Sequence, residues 1–259
     1  MSFIYKSYSN LFAKKILMPI HKRMYLFALR GLGMLNSENG KISGETYLLK
    51  YLSKKNVRTI FDVGANVGQF ANLILRNNPN ADIYSFEPHP ASFSKLSQIK
   101  TPNFKCFNVG LGATNSKMIL YDYKDNQGSE HAALNKEVIT NVHNGEASEI
   151  EVDIIMLDKF CAEHKIDQID LLKIDVEGFE LDVLKGAENL IKSKKIRYIQ
   201  FEFNANNLIS RTTLRDFEDL LEDYNLYRLM SNGFYSLNNE KMLFKEIYVF
   251  QNIFAELKN

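Results

Sequence analysis

"IFDVGANVGQF" runs from Ile60 to Phe70, and its reading decides the fold. An apolar strand ends in an acid, Asp62. Gly64, Asn66 and Gly68 follow, and the chain then turns into an amphipathic helix. Glycines in such a turn remove side chains where the backbone bends sharply and where another group comes close. The spacing is G-x-N-x-G, not the G-x-G-x-x-G of dinucleotide sites. A dinucleotide site aims a helix N-terminus at a pyrophosphate. A shorter loop suits a ligand with no phosphate there. Asp62 at the strand end would repel a phosphate and attract an ammonium or sulfonium group.

Outward from this turn the pattern alternates. Strands are read over 57–64, 81–88, 104–112, 170–178 and 196–204, and helices over 67–78, 91–99, 179–193 and 214–224. "LYRLMSNGFYSLN" and "KEIYVFQN" read as two closing strands. This alternation predicts an α/β fold, with a mostly parallel sheet covered by helices on both faces. Residues 113–155 break the rhythm: "KMILYDY" and "EIEVDIIML" read as an inserted pair of strands, with a polar loop between them near the site. The expected organisation is an N-terminal helical extension over 1–50 and a catalytic domain over 51–259.

Ligands of such sheets bind beyond the carboxyl ends of the strands. Glu87 ends the second strand, where an acid can accept hydrogen bonds from both ribose hydroxyls. Asn108, Gly110 and Gly112 end the third and can edge an adenine. A nucleoside that carries a positive group and no phosphate fits this set, and S-adenosylmethionine meets that description. In the second half, "LLKIDVEGFE" puts Lys173 and Asp175 on one strand face, and Glu177 and Glu180 open the next helix. "IQFEFN" repeats the pattern with Glu202 and Asn204. Asp175, Glu202 and Asn204 would converge either on Mg²⁺, which lowers the pKa of an acceptor hydroxyl, or as a metal-free site with one carboxylate as general base beside Lys173. The bland alternative for Glu177 and Glu180 is an ion-pair network that caps strands and helices. His131 is a further candidate base.

Composition narrows the class. The formal net charge of +1 over 259 residues gives no sign of a nucleic-acid partner, and Cys106 and Cys161 are too few for a disulfide framework or a CxxC metal site. A reducing cytoplasm is the expectation. Charge is uneven, however. Residues 1–35 hold Lys6, Lys14, Lys15, Lys22, Arg23 and Arg30 with no acid, which leaves 26 basic against 31 acidic residues elsewhere. No apolar run reaches transmembrane or signal-peptide length. This basic amphipathic segment suits either packing on the body or on a second subunit of a homo-oligomer, or peripheral contact with the anionic inner leaflet.

The motifs "FDVGANVGQF", "YSFEPHPASFSKL", "NVGLG", "LDKF" and "LLKIDVEGFELDVLKGA" followed by "IQFE" resemble the FkbM family of S-adenosylmethionine-dependent methyltransferases over about residues 57–204. The resemblance implies a class I methyltransferase (Rossmann-like) fold, a seven-stranded sheet whose last strand is antiparallel. It places Asp62, Gly64, Asn66, Gly68, Glu87 and Asn108 on the cofactor side and Asp175 and Glu177 at the catalytic end. It also implies O-methylation, with a sugar hydroxyl of a surface polysaccharide or lipid-linked glycan as the expected acceptor. The rivals are a nicotinamide-dependent oxidoreductase and a non-catalytic binding protein on the same fold.

Overall fold

Valine, isoleucine and phenylalanine dominate the short strands, and nearly every residue in the central ones is buried, as a sheet covered on both faces requires. The computed structural model describes residues 2–123, 132–138, 140 and 146–258. Its strands in chain order are β1 (Thr59–Val63), β2 (Asp82–Phe86), β3 (Phe104–Phe107), β4 (Gly110–Leu111), β5 (Ser116–Tyr123), β6 (Ala147–Ile155), β7 (Ile169–Ile174), β8 (Ile196–Phe203), β9 (Tyr224–Met230), β10 (Gly233–Ser236) and β11 (Gln251–Leu257). Eight form the main sheet in the order β10-β9-β11-β8-β7-β1-β2-β3. β3, β2, β1, β7 and β8 are mutually parallel, and β11 runs antiparallel to β8 and β9. This is the expected class I arrangement, with β10 added as an eighth strand on the outer edge. Strand order reverses between β1 and β7, which sets the ligand crevice there.

Phe61, Val63, Leu172, Ile174 and Phe201 pack one sheet face against Leu157, Phe160, Leu184 and Phe217 of the covering helices. Ile60, Ile83, Leu171 and Phe254 pack the other against Leu48, Leu52, Ile74 and Leu96. The helix Glu45–Leu52 thus belongs to the body, and a boundary drawn at residue 50 falls inside it.

Three elements differ from the sequence reading. "LYRLMSNGFYSLN" is a hairpin, β9 and β10, turned at Ser231-Asn232 before Gly233. "KEIYVFQN" is mostly irregular, and the closing strand begins at Gln251. A strand with a neighbour on each side buries a continuous run, and Gln251–Ala255 is that run. The span 104–112 splits: β4 leaves the main sheet and pairs with β6, which pairs with β5 in a separate three-stranded sheet. β5 and β6 of this second sheet come from residues 113–155, and their Leu120 and Ile154 line the crevice.

Candidate active site

β1 delivers the chain to Gly64, whose φ of 77° lies in the left-handed region. A Cβ there would collide with the carbonyl oxygen of Asp175. The close approach that this turn permits is therefore backbone to backbone, and it draws the β1 and β7 tips together. Gly68, at φ 86°, serves packing as well: a Cβ would come within 2.6 Å of Ile99 Cδ1 and 2.9 Å of Leu96 Cδ1. Gly68 makes room for the neighbouring helix and does not line the cavity.

The loop is fastened to β2. Gly64 N and Ala65 N both donate to Phe86 O at 3.0 Å. One residue further on, Glu87 receives two backbone donors: Asn66 N at 2.7 Å on Oε2 and His89 N at 2.8 Å on Oε1. Burial pushes the Glu87 carboxyl up to about 7, against the pull of those two N–H groups. Each oxygen keeps a lone pair beyond its backbone bond.

Asn108 takes a different place from the one expected. Its side chain is exposed and donates to the carbonyls of Glu87 (2.8 Å) and Pro88 (3.0 Å), which clamps the turn. Gly110, two residues on, is the one that faces the cavity. Asp62 also lies behind the wall. It is fully buried, 3.5 Å from Lys173 Nζ, and neither of its oxygens accepts a hydrogen bond among the described residues. Burial raises the Asp62 pKa, and Lys173 is the cation that opposes this. Asp62 thus faces the ammonium of Lys173, where a ligand ammonium was expected.

Lys173 joins the two strand tips. Its Nζ is 3.1 Å from Asp175 Oδ2 as well. Burial works to lower its pKa, but the Asp175 and Asp62 carboxylates outweigh burial and hold it above the ordinary value. Asp175 itself lines the cavity. So does Glu177, a non-glycine residue at φ 52°, whose Oε2 accepts from Asn206 Nδ2 at 2.6 Å. A left-handed glutamate held in place at a cavity wall is backbone strain located at a site.

Glu180 turns away. It is buried and accepts from Gly178 N (3.0 Å) and Asn207 Nδ2 (3.3 Å), so it braces the turn that precedes its helix. Glu202 stands behind the wall with Asn204 Nδ2 3.4 Å from its Oε2; burial and then the charges of Asp175 and Glu177 raise its pKa well above the carboxylate range. Asn204 spends its side-chain oxygen on Asn206 N at 2.8 Å, as the N-cap of Ala205–Ile209. Among the described residues, no three His, Cys, Asp or Glu side chains are grouped to hold a metal ion. Of the expected Mg²⁺ set only Asp175 lines the cavity; Glu202 and Asn204 lie outside its lining. His131 lies outside the described residues.

A cavity opens between the strand tips. Gly64, Asn66 and Glu87 form one wall, and Asp175, Val176, Glu177 and Phe179 the other. Leu120 and Ile154 of the inserted strands, with Ala132 and Leu134 from between them, roof it. A latch holds that sheet to the β2 tip: His89 Nε2 lies 3.1 Å from Asp122 Oδ2, both residues buried. His89 Nδ1 accepts from Ala91 N, so the ring proton belongs on Nε2, towards Asp122, and burial lowers the ring pKa. Sequence reasoning missed Asp122, Asn206 and the apolar roof. Asp122 did leave a signal, as an acid two residues after Leu120 on the buried face of an alternating strand.

Residues 62–229 match the family described as "Methyltransferase FkbM domain", and the chain belongs to that family. It is 32% identical over 151 residues to "Methyltransferase 1" of Beauveria bassiana (strain ARSEF 2860), a match covering 50% of this chain and 58% of that protein. It is 25% identical over 192 residues to "2-O-methyltransferase NoeI" of Sinorhizobium fredii (strain NBRC 101917 / NGR234), covering 70% and 78%. A third relative is "Hexuronic acid methyltransferase AglP" of Haloferax volcanii, 23% identical over 147 residues and 56% of each chain. The chain thus spans little more than half the length of two of these three proteins.

Proposed function

We propose that this chain transfers the methyl group of S-adenosylmethionine to a hydroxyl oxygen, and that the hydroxyl belongs to a sugar. The observation that carries the reading is the position of Glu87, anchored by two backbone N–H groups on the same cavity that Asp175 and Glu177 line.

The residues present fit the cofactor. Glu87 offers two lone pairs for paired hydroxyl donors, as a ribose diol presents. Gly110 lines the cavity and lets Ile154 pack close, since a Cβ would come within 2.6 Å of Ile154 Cδ1. Asn66 Oδ1 is a buried acceptor without a partner among the described residues. Leu111, Leu120, Leu134 and Ile154 give the apolar surface that a purine ring needs. When bound, S-adenosylmethionine supplies an activated methyl on a sulfonium centre.

The protein's own contribution is position and proton transfer. Asp175 takes the acceptor's hydroxyl proton as the new O–C bond forms and the S–C bond breaks. The proton ends on the carboxylate, and the donor leaves as a neutral thioether. Lys173 holds Asp175 from behind the wall, and Glu177, fixed by Asn206, orients the acceptor. Lys173 and Glu202 do not line the cavity, so their part is positioning and charge. No step runs through Mg²⁺, because the side chains available do not form its site.

Family membership favours methyl transfer over hydride transfer, and two relatives, a 2-O-methyltransferase and a hexuronic acid methyltransferase, favour a sugar hydroxyl. The test is incubation with isotopically labelled methyl donor and a cell-envelope glycan extract. Label in a glycan methyl ether supports the reading, label only in protein or nucleic acid refutes the acceptor class, and no label in any pool refutes catalysis.

A further inference from the structure

The strongest feature outside the active site is the N-terminal arm. It comprises the helix Ser2–Phe12, a 3-10 turn at Lys15–Leu17 and the helix Met18–Gly31. The arm is tied to the body at its far end. Leu29 and Met34 are buried, Leu35 N donates to Phe250 O, and the buried Arg228 donates to Leu32 O. Before that anchor almost nothing is covered, and Leu29 is the one buried residue of the second helix.

What the arm exposes is unusual for water. Ile4, Leu11, Ile16, Ile20, Met24 and Phe27 are between 53% and 85% exposed. Ile4 and Leu11 are seven apart on the first helix; Ile20, Met24 and Phe27 follow the i, i+4, i+7 spacing of one stripe on the second. Soluble chains rarely leave an apolar surface of this extent bare. Lys6, Lys14, Lys15, Lys22 and Arg23 are exposed among these residues, and none has an acidic partner among the described residues; only Arg30 is paired, with Glu38 at 2.6 Å.

We infer that residues 2–31 dock this protein on an anionic lipid surface. Apolar side chains enter the boundary between headgroups and acyl chains, and the lysines meet the phosphate groups. A bilayer accommodates both features at once: burial for the stripe and counter-charge for cations that lack acids. Lysine stems also reach from an apolar face to a charged plane. The arm lies on the surface and does not span it. At about 1.5 Å per residue, helices of 11 and 14 residues reach about 16 and 21 Å, short of the ~30 Å hydrocarbon core, and no helix of the described residues is long and apolar enough to cross a membrane. The excess of acids outside residues 1–35 repels the same surface and so orients the molecule, arm towards lipid and body away.

The test is flotation of the full chain with vesicles of phosphatidylcholine alone, or with about one-third phosphatidylglycerol. No methyl donor is present, so the outcome is independent of the proposed reaction. The chain is expected to float with the anionic vesicles and stay behind with the neutral ones, and ~0.5 M salt should cut binding at least about tenfold. Two triple variants, Lys14→Glu with Lys15→Glu and Lys22→Glu, and Ile20→Ser with Met24→Ser and Phe27→Ser, should each lose at least about tenfold in partition. Both should keep the wild-type unfolding temperature, since all six positions lie outside the core. Equal binding to neutral vesicles, or binding that neither variant changes, overturns the inference. Self-association in sedimentation without flotation also overturns it and assigns the face to a second copy.

Discussion

The two carboxylates that face each other across the cavity are held in opposite ways. Glu87 is gripped by backbone, with one N–H on each oxygen. Asp175 is held by a side chain, Lys173, which it shares with Asp62. Backbone donors at the mouth of a turn move only if the turn moves, so Glu87 is a fixed fixture suited to recognising one constant ligand. An ammonium on a flexible stem tolerates a change of charge and of partner. That suits a carboxylate that gains and loses a proton in each cycle.

The sharpest way to break this contrast is to substitute each acid and read binding and turnover separately. Asp175→Asn should lower turnover about 10²–10⁴-fold, the range for a positioned base, and leave affinity for S-adenosylhomocysteine in calorimetry within about twofold. Normal turnover would remove Asp175 from proton transfer. Gly64→Ala attacks the place where the two halves meet. The added Cβ collides with Asp175 O at a positive φ, so the variant should lose about 3 kcal/mol or more of stability. That is a fall of roughly 6–12 °C in melting temperature. Glu87→Ala removes a charged acceptor of two hydroxyls, and it should weaken S-adenosylhomocysteine about 10–100-fold while the fold survives.

The comparison also explains what the sequence could disclose. The place of Glu87 on the cavity was legible because it ends an apolar strand one helix after a glycine turn. Asp175 was legible for the same reason. Asp62 was misjudged because a strand-end acid looks alike whether it meets a ligand or a buried lysine directly opposite on the neighbouring strand. Only the register Asp62↔Lys173 decides that, and register between distant strands is not written locally. Asn108 and Asn204 failed for a related reason: short amides readily turn back on their own backbone, and here they do so as a turn clamp and an N-cap. The roof was half visible. The strands of the insertion were read, but not which of their side chains point at the crevice, since that depends on the His89–Asp122 latch across 33 residues of chain.

The smallest expected effect is the one that discriminates best. Burial raises the Glu87 carboxyl to about 7 in the folded chain, against an unfolded value near 4.5. Between those values the folded state binds more protons than the unfolded one, so this group's contribution to stability is complete below about 4.5 and is lost as pH rises towards 7. Hydroxyl donors bind the ionised form, so ligand affinity carries the opposite sign. Affinity for S-adenosylhomocysteine should climb about tenfold per pH unit below 7 and level off above it. Glu180 is raised to about 7 by burial too, but it faces Gly178 and Asn207, away from the cavity, so it contributes to the stability curve and not to the binding curve. Titration calorimetry between about pH 5.5 and 7.5 on the wild type and on Glu87→Gln separates the two. The binding slope should vanish in the variant while part of the stability slope persists. A slope that survives Glu87→Gln would mean that some other carboxylate meets the ligand, and the assignment of the fixed side of the cavity would fail with it.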